Sequence, residues 1–509
     1  MKEAGKMNSA KKAARITVLV LVLAASLGIT VTQTLNSTFD QDEFQHIHLV
    51  WHMINGKVLY SDFFDHHGPV NTYLNSILFR ACRLSPGIQT LLFFRFLSLG
   101  YLLGILVCIY FFAASFFRSR FYGLCTAVLL SLLVFFQDKA TEIRPDVLQN
   151  LLFVTGILLL FSNLQKWRIW KGLAAGTCMG FMLLCNTKAA IGIAAVIIYF
   201  ILEYFLAGRD LKRLARQILV ILLPVLAVFI LFVLLFLFNG SLREFLFYVF
   251  VYPFIIVSED RPDLPVQYLK FFIRYQGPFL LAVLSGFFYL FRDMAGQKKD
   301  TDRIRRLLFP AVLSAVAVST SVLPLYSQHY LSFLPLLACV GIYGIKRMTE
   351  TVCVKFRSSV LCTVTGNSVL PAVFLFMTLV SLHLMFLKGP AWKQIEQLSL
   401  TRYVLEEVPR EEKILTVFTL AGGYMFNEDL QYYWAAMINA EEVFSRIEGR
   451  EVFGRNLIDL MEKEHLQYII ADEYEFLQAW PDGFLYSYIL EHYIPHDQYP
   501  ALWTRISGE

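Results

Sequence analysis

Apolar runs of roughly 17–22 residues recur through the first three quarters of the chain, and that is the length a helix needs to cross hydrocarbon. Inside lipid every backbone amide and carbonyl must be satisfied within the protein, so runs this long leave a helical bundle as the available fold. Composition agrees: 57% of the residues are hydrophobic and 17% are charged, where a soluble domain carries about 25% charged residues. The fold class expected is mostly α, a polytopic membrane helical bundle of about 11 spans. The starts fall near Ile16, Phe96, Phe121, Val147, Gly172, Ala189, Ile218, Pro278, Leu307, Tyr330 and Val369. The basic N-terminus is read as the head of an uncleaved first span, because the apolar run continues to about Val31.

Charge sets the orientation. Lys2 to Arg15, Arg118 to Arg120, Lys166 to Lys171, Arg209 to Arg216, Arg292 to Arg306 and Lys346 to Arg357 are basic and alternate with less basic connections. If each basic loop is cytoplasmic, the alternation closes without exception. The N-terminus is then expected in the cytoplasm and the C-terminal segment outside it, in a multi-pass protein of the cell membrane, most simply a bacterial inner membrane. Basic residues confined to short loops set topology and give no reason to expect nucleic acid as a partner. The eight cysteines lie mostly in expected spans and form neither a disulfide framework nor a CxxC metal site.

Two domains are expected: residues 1–390, a membrane domain with an extracytoplasmic first loop at 36–95, and residues 391–509, a soluble extracytoplasmic α/β domain. In the latter, "EEKILTVFTL" and "LQYIIADEY" read as short buried strands, with helix-like "AEEVFSRIEGREVFGRNLIDLMEKEHL" between them.

The first loop concentrates ionisable groups. Thr38 to Val70 holds five acidic residues and five of the ten histidines. Asp42 and Glu43 open a short helix with Asp40 near its start, where carboxylates are favoured by capping and by the helix dipole. Ile47, Val50, Trp51 and Ile54 form an apolar stripe at helical spacing, expected to lie along the outer membrane surface. Asp62, Asp65, His66 and His67 follow, ahead of Gly68-Pro69. Other outer connections add Glu142, Arg144 and Asp146 in "EIRPD", Lys188 in "CNTKAA", and His329 and Tyr330 in "YSQHYLSFLP".

Carboxylates and cations facing one compartment at membrane depth suit a phosphorylated lipid. Cationic donors hold the phosphate and stabilise its leaving charge. A carboxylate takes the proton of an acceptor hydroxyl. The catalytic candidates are Asp42, Glu43 and Asp146. The candidates for donor phosphate or substrate are Asp62, His66, His67, Arg144, Lys188, His329 and Tyr330. Seven of them have a plainer reading: a helix cap for Asp42 and Glu43, a turn cap for Asp62, solvent-facing polar residues for His66 and His67, a neutraliser of Glu142 or Asp146 for Arg144, and a side chain reaching to the interface for Lys188. His48 and His52 have i,i+4 spacing, but no converging shell accompanies them and no metal is predicted. No Walker loop or Rossmann fingerprint is present, so no nucleotide cofactor is expected.

The sequence resembles membrane glycosyltransferases of the GT-C superfamily, in the branch of protein mannosyltransferases, aminoarabinose transferases and RgtA/B/C/D-like enzymes. The resemblance lies in "DEFQHIHLVWHMINGKVLYSDFFDHHGPV", "RPDVLQNLLFVTGILLL", "GLAAGTCMGFMLLCNTKAAIGI" and "HYLSFLPLLACVGIY", in the family's order. It implies a polyprenyl-phosphate sugar as donor, a glycolipid, polysaccharide or protein as acceptor, and inversion at the anomeric carbon. It implies Asp42 as base or acceptor-positioning group, Asp146 as the second outer acid, Lys188 as a phosphate contact, and His329-Tyr330 in the place of the family's Arg-Tyr or His-Tyr. Lys57, Arg80 and Arg83 offer themselves for a further cation without a clear match. A polyprenyl-linked polysaccharide polymerase or ligase is the alternative enzyme, and a transporter is a more distant one. The richest polar loop comes first rather than late, and few ionisable residues fall mid-span, as a transporter would need.

Overall fold

The computed structural model describes residues 2–207, 210–253, 264–296, 300–319, 331–356, 371–383, 391–416, 425–429, 454–471 and 483–506. Helices α1 (Lys2–Asn36), α2 (Gln41–Ile54), α3 (Pro69–Ala81), α4 (Ile88–Phe117), α5 (Arg120–Ser131) and α6 (Val134–Lys139) come first. Then follow α7 (Pro145–Asn163), α8 (Ile169–Leu183), a 3-10 turn at Thr187–Ala189, α9 (Ala190–Ala207), α10 (Leu211–Phe238) and α11 (Leu242–Phe250). The bundle closes with α12 (Leu264–Ala295), α13 (Thr301–Ser319), α14 (Leu334–Phe356) and α15 (Pro371–His383).

Among the described residues six helices are long and apolar enough to cross a bilayer. They lie within α1, α4, α7, the 3-10 turn with α9, α10 and α12. Three apolar helices are shorter: α5, α8 and α15. The run expected to span from Phe121 folds as the 12-residue α5. That helix is nearly all buried from Gly123 onward, so its packing does not require it to match the lipid's thickness. The expected start at Tyr330 lies outside the described residues, as does Val369.

α10 carries the highest mean hydropathy, 3.5, and exposes Leu219, Leu223, Leu226 and Ile230. An apolar face without protein cover belongs to lipid. Where helices meet each other, small residues let the backbones close up. A Cβ built on Gly344 of α14 would fall 2.3 Å from the Ala282 carbonyl oxygen of α12. Polar staples hold the bundle elsewhere: Ser26 donates to the Ser131 carbonyl at 2.7 Å, and Ser381 to that of Leu132 at 3.2 Å. In lipid such bonds hold because the released groups find no water.

After α16 (Ala391–Glu407) the chain builds one small sheet from β1 (Lys413–Thr416), β2 (Glu428–Asp429), β3 (Tyr468–Ile470), β4 (Tyr493–Pro495) and β5 (Leu502–Arg505). The strand order is β2-β1-β3-β5-β4. β1 runs parallel to β2 and β3, while β5 is antiparallel to β3 and β4. Helices α17 (Gly454–Lys463) and α18 (Phe484–His492) cover it through Leu457, Met461, Leu485 and Ile489. The two expected strands are β1 and β3, side by side. Of the helix-like segment between them, 440–453 lies outside the described residues.

The apolar stripe of α2 does not lie on the membrane surface as expected. Ile47 and Val50 are fully buried, and they pack with Leu400 and Val404 of α16 and with Met425, Phe426, Ile470 and Leu502. Trp51 meets Phe426 edge-on at 5.6 Å. The physical reason is supply: a periodic apolar face tells that a cover exists, not whether it is lipid or protein. Gln397 completes the seat, accepting from the Phe39 amide at 2.7 Å and donating to its carbonyl at 2.9 Å.

Candidate active site

The site is built from the start of α2 outward. Asp40 and Glu43 form a reciprocal capping box, which fixes Asp42 in the first turn of the helix. Glu43 is held further. Arg95 of α4 donates to it from Nε at 2.8 Å and Nη2 at 2.6 Å, and the Ile143 amide donates at 3.2 Å. Arg95 spends its remaining donors on the carbonyls of Thr34, Ser37 and Thr38 and lies 3.5 Å from the Phe39 ring centroid. A buried ion pair satisfied this completely pins the loop to the bundle.

Arg144, the N-cap of α7, reaches three carboxylates at once. Its guanidinium lies 2.5 Å from Asp42, 3.1 Å from Asp40 and 2.5 Å from Glu142. Lys139 pairs with Glu142 at 2.6 Å. Three acids thus share two cations, and the balance falls unevenly. Burial opposes the charge on Asp40, but Arg144 and then Lys139 outweigh it and hold its carboxyl below the ordinary range. At Asp42 burial wins over Arg144, with Asp40 adding repulsion, and the carboxyl is pushed up. Burial likewise lifts Glu142 against Arg144 and Lys139. The same three acids keep Arg144 firmly charged despite its burial.

The histidine pair enters from the loop before α3. The backbone at Gly68 lies flat against the end of α8: its amide donates to the Cys185 carbonyl and that of Val70 to Leu184, each at 3.1 Å. A Cβ at Gly68 would fall 2.0 Å from the Leu184 oxygen, so only glycine permits the approach. Tyr60 sits at φ 72°, a strained conformation for a bulky side chain. It is locked there by its hydroxyl, which donates to the His67 carbonyl at 2.6 Å, and by Phe236 and Phe245. Asp65 accepts from the His67 amide at 2.9 Å and from its Nδ1 at 3.0 Å.

That bond decides the charges. Burial disfavours the imidazolium of His67, but the Asp65 hydrogen bond and charge, with Asp146 and Asp42 behind them, raise its pKa above the ordinary value. His46 and His66 go the other way, lowered by burial and by the neighbouring His67. His67 therefore holds its proton more firmly than His46 and His66 do, and the His46 and His67 centroids are 5.0 Å apart.

Asp146, in the first turn of α7, accepts from Asn186 at 3.2 Å, and Asn186 in turn caps the 3-10 turn through the Lys188 amide at 3.1 Å. Lys188 acts electrostatically on His66. The structure therefore brings Asp42, Arg144, Asp146, His66, His67 and Lys188 to one end of the bundle. Glu43 stands beside them, engaged by Arg95. Asp62 does not join them: exposed, it accepts from the Val58 amide at 2.7 Å and closes a turn. His329 and Tyr330 lie outside the described residues. Among the described residues Asp65, His66 and His67 offer ligand atoms within 4.8 Å of one another that could hold a metal ion.

Sequence reasoning passed over Lys139, Asn186 and Arg95 as parts of the site, and left Asp65 and His46 unassigned. Asp65 had a readable signal, its place next to two histidines. Arg95, inside an apolar run, had another, since a guanidinium there demands a partner.

The fold of this bundle is shared with solved structures of an oligosaccharyltransferase and of ArnT. The chain is similar in structure to the archaeal oligosaccharyltransferase AglB of Archaeoglobus fulgidus, in complex with an inhibitory peptide and a dolichol-phosphate. There the TM-score is 0.60 and the identity 13%, over 91% of this chain and 70% of that one. It is similar over 98% of its length to 99% of ArnT from Cupriavidus metallidurans bound to undecaprenyl phosphate, with a TM-score of 0.62 and 13% identity. No protein-family model and no curated protein matches the sequence.

Proposed function

We propose that the chain is an integral-membrane glycosyltransferase that moves a sugar from a polyprenyl-phosphate donor to an acceptor hydroxyl on the extracytoplasmic face. One observation carries this reading: Asp42, a carboxylate lifted by burial, lies within electrostatic reach of His67, whose pKa is raised, and His67 within reach of Asp146, which Asn186 joins to the Lys188 turn. The similar structures hold a dolichol-phosphate and an undecaprenyl phosphate, which supports a lipid phosphate as the donor's leaving part.

In the proposed reaction Asp42 accepts the acceptor's hydroxyl proton. The hydroxyl oxygen bonds the anomeric carbon as the bond from that carbon to the phosphate oxygen breaks, and the electron pair leaves with the phosphate. His67 and Lys188 stabilise that charge. Arg144 orients Asp42, and Glu43 acts only through the placement of α2. Asp65, His66 and His67 have donor types suited to a divalent ion, and no step depends on one. Residues 391–509 form the extracytoplasmic unit, with the N-terminus of residues 1–390 in the cytoplasm of a bacterial inner membrane.

The test is to incubate the purified protein with a panel of polyprenyl-phosphate sugars and measure release of polyprenyl phosphate. Release from at least one donor is expected. Asp42→Asn should bind that donor with unchanged Kd and lose about 10²–10⁴ in kcat. No release across hexosyl and pentosyl donors with a range of acceptors present overturns the reading.

A further inference from the structure

A second polar feature lies at the far end of the bundle and takes no part in the chemistry above. α4 carries Arg95 at the carboxylate site and Arg118 just past its other end, 23 residues on. At 1.5 Å per residue the two are roughly 35 Å apart, about one bilayer. There a cavity of about 430 Å³ opens between the end of α4, the start of α13 and the middle of α14.

Its walls are unevenly charged. Arg118, Arg303, Arg306, Lys346 and Arg347 line it, against Asp300 and Asp302. Part of this charge is used inside the protein. Arg347 binds Asp293 at 2.7 Å and Glu350 at 2.5 Å, Lys346 binds Glu350 at 3.1 Å, and Asp302 takes Arg305 at 2.7 Å. Among the described residues neither Arg118, Arg303 nor Arg306 forms an ion pair. Arg306 is partly buried and Arg118 exposed beside it, close enough for the two charges to repel, with Asp302 the acid that acts on Arg306. Arg306 is held in place by a 2.5 Å bond to the Ser115 carbonyl.

Two guanidiniums of like charge on one cavity wall, that of Arg306 fixed by its bond to Ser115, form an anion site whose cost falls when a phosphate bridges them. Phe116, Phe117 and Tyr343 complete the lining. On α4, Val107 and Phe111 lie one turn apart and are each more than half exposed, an apolar strip at the same end of the helix. We propose that this cavity binds the phosphate headgroup of an anionic phospholipid, with its acyl chains in the surrounding bilayer. Basic pockets between membrane helices suit such headgroups.

The experiment uses the full chain purified in detergent and stripped of lipid. Phosphatidylglycerol, phosphatidylcholine and inorganic phosphate are titrated separately, with retained lipid counted by native mass spectrometry and the melting temperature followed. Phosphatidylglycerol is expected to be retained over phosphatidylcholine and to raise the melting temperature. Arg118→Gln with Arg306→Gln should weaken phosphatidylglycerol binding about fivefold per guanidinium, roughly twenty-five-fold together. The charge-preserving Arg118→Lys and Arg306→Lys variants should keep most of it. Should the double glutamine variant not fold, Arg303→Gln, whose side chain is exposed and forms no ion pair among the described residues, should show the single fivefold step. Equal retention of both lipids, unchanged binding in the glutamine variants, or full protection by inorganic phosphate alone overturns the proposal.

Discussion

Asp42 and His67 act on each other through space, and their surroundings move both pKa values upward for different reasons. For Asp42 the cause is burial, which outweighs Arg144. For His67 it is Asp65, which outweighs burial. In the proposed reaction Asp42 must be ionised and His67 protonated. Turnover then rises with pH through the Asp42 value, which lies above the ordinary ~3.9, and falls through the His67 value, above the ordinary ~6.5. A bell-shaped kcat/KM profile is expected. Asp65→Asn should move the alkaline limb to lower pH, and His67→Gln should flatten it. An unmoved limb in both variants would take the phosphate role away from His67. The sign follows for stability too: the part due to the His67–Asp65 bond is full below the unfolded-state pKa and is lost as pH rises through the folded one.

At the level of elements, the loop is fastened to the bundle at two points, the Glu43–Arg95 pair and the Gly68 backbone against Cys185. Arg95→Leu leaves Glu43 buried without its counter-charge and should cost about 3–5 kcal/mol, while Arg95→Leu with Glu43→Leu should cost less. Urea or thermal unfolding of the four variants of that cycle measures the difference. Gly68→Ala drives a methyl into the Leu184 carbonyl. It should lower kcat well over tenfold through displacement of His67, even where the protein remains folded. These two fastenings show where reading the sequence stops. The helix starts, the acidic opening of α2 and the "HHGPV" turn follow from local composition and spacing. The partner of Arg95 does not, since Glu43 lies 52 residues away in sequence and nothing local couples them. The same holds for the α2 stripe, whose apolar period was plain and whose cover was not. Asp62 looked like a site residue because it shares a motif with His66 and His67, yet a turn intervenes and leaves it exposed.

Over the whole molecule, the C-terminal unit and the first loop form one core through Gln397, Val404 and Phe426. Gln397→Ala removes both bonds to the Phe39 backbone and should loosen the loop by about 1–3 kcal/mol. Hydrogen exchange across residues 39–50 reads that loosening directly, and unchanged protection would mean the apolar seat alone suffices. The Phe39–Gln397 bond joins positions 358 apart, and that distance has a consequence for biosynthesis. A ribosome adding about 5–20 residues per second needs on the order of half a minute to pass from one to the other. Throughout that interval the nascent loop is already translated while the C-terminal residues that pack on it do not yet exist. The end of the bundle that holds Asp42 and His67 is therefore the last to mature, and a chain interrupted late in translation would carry an assembled bundle with its first loop uncovered.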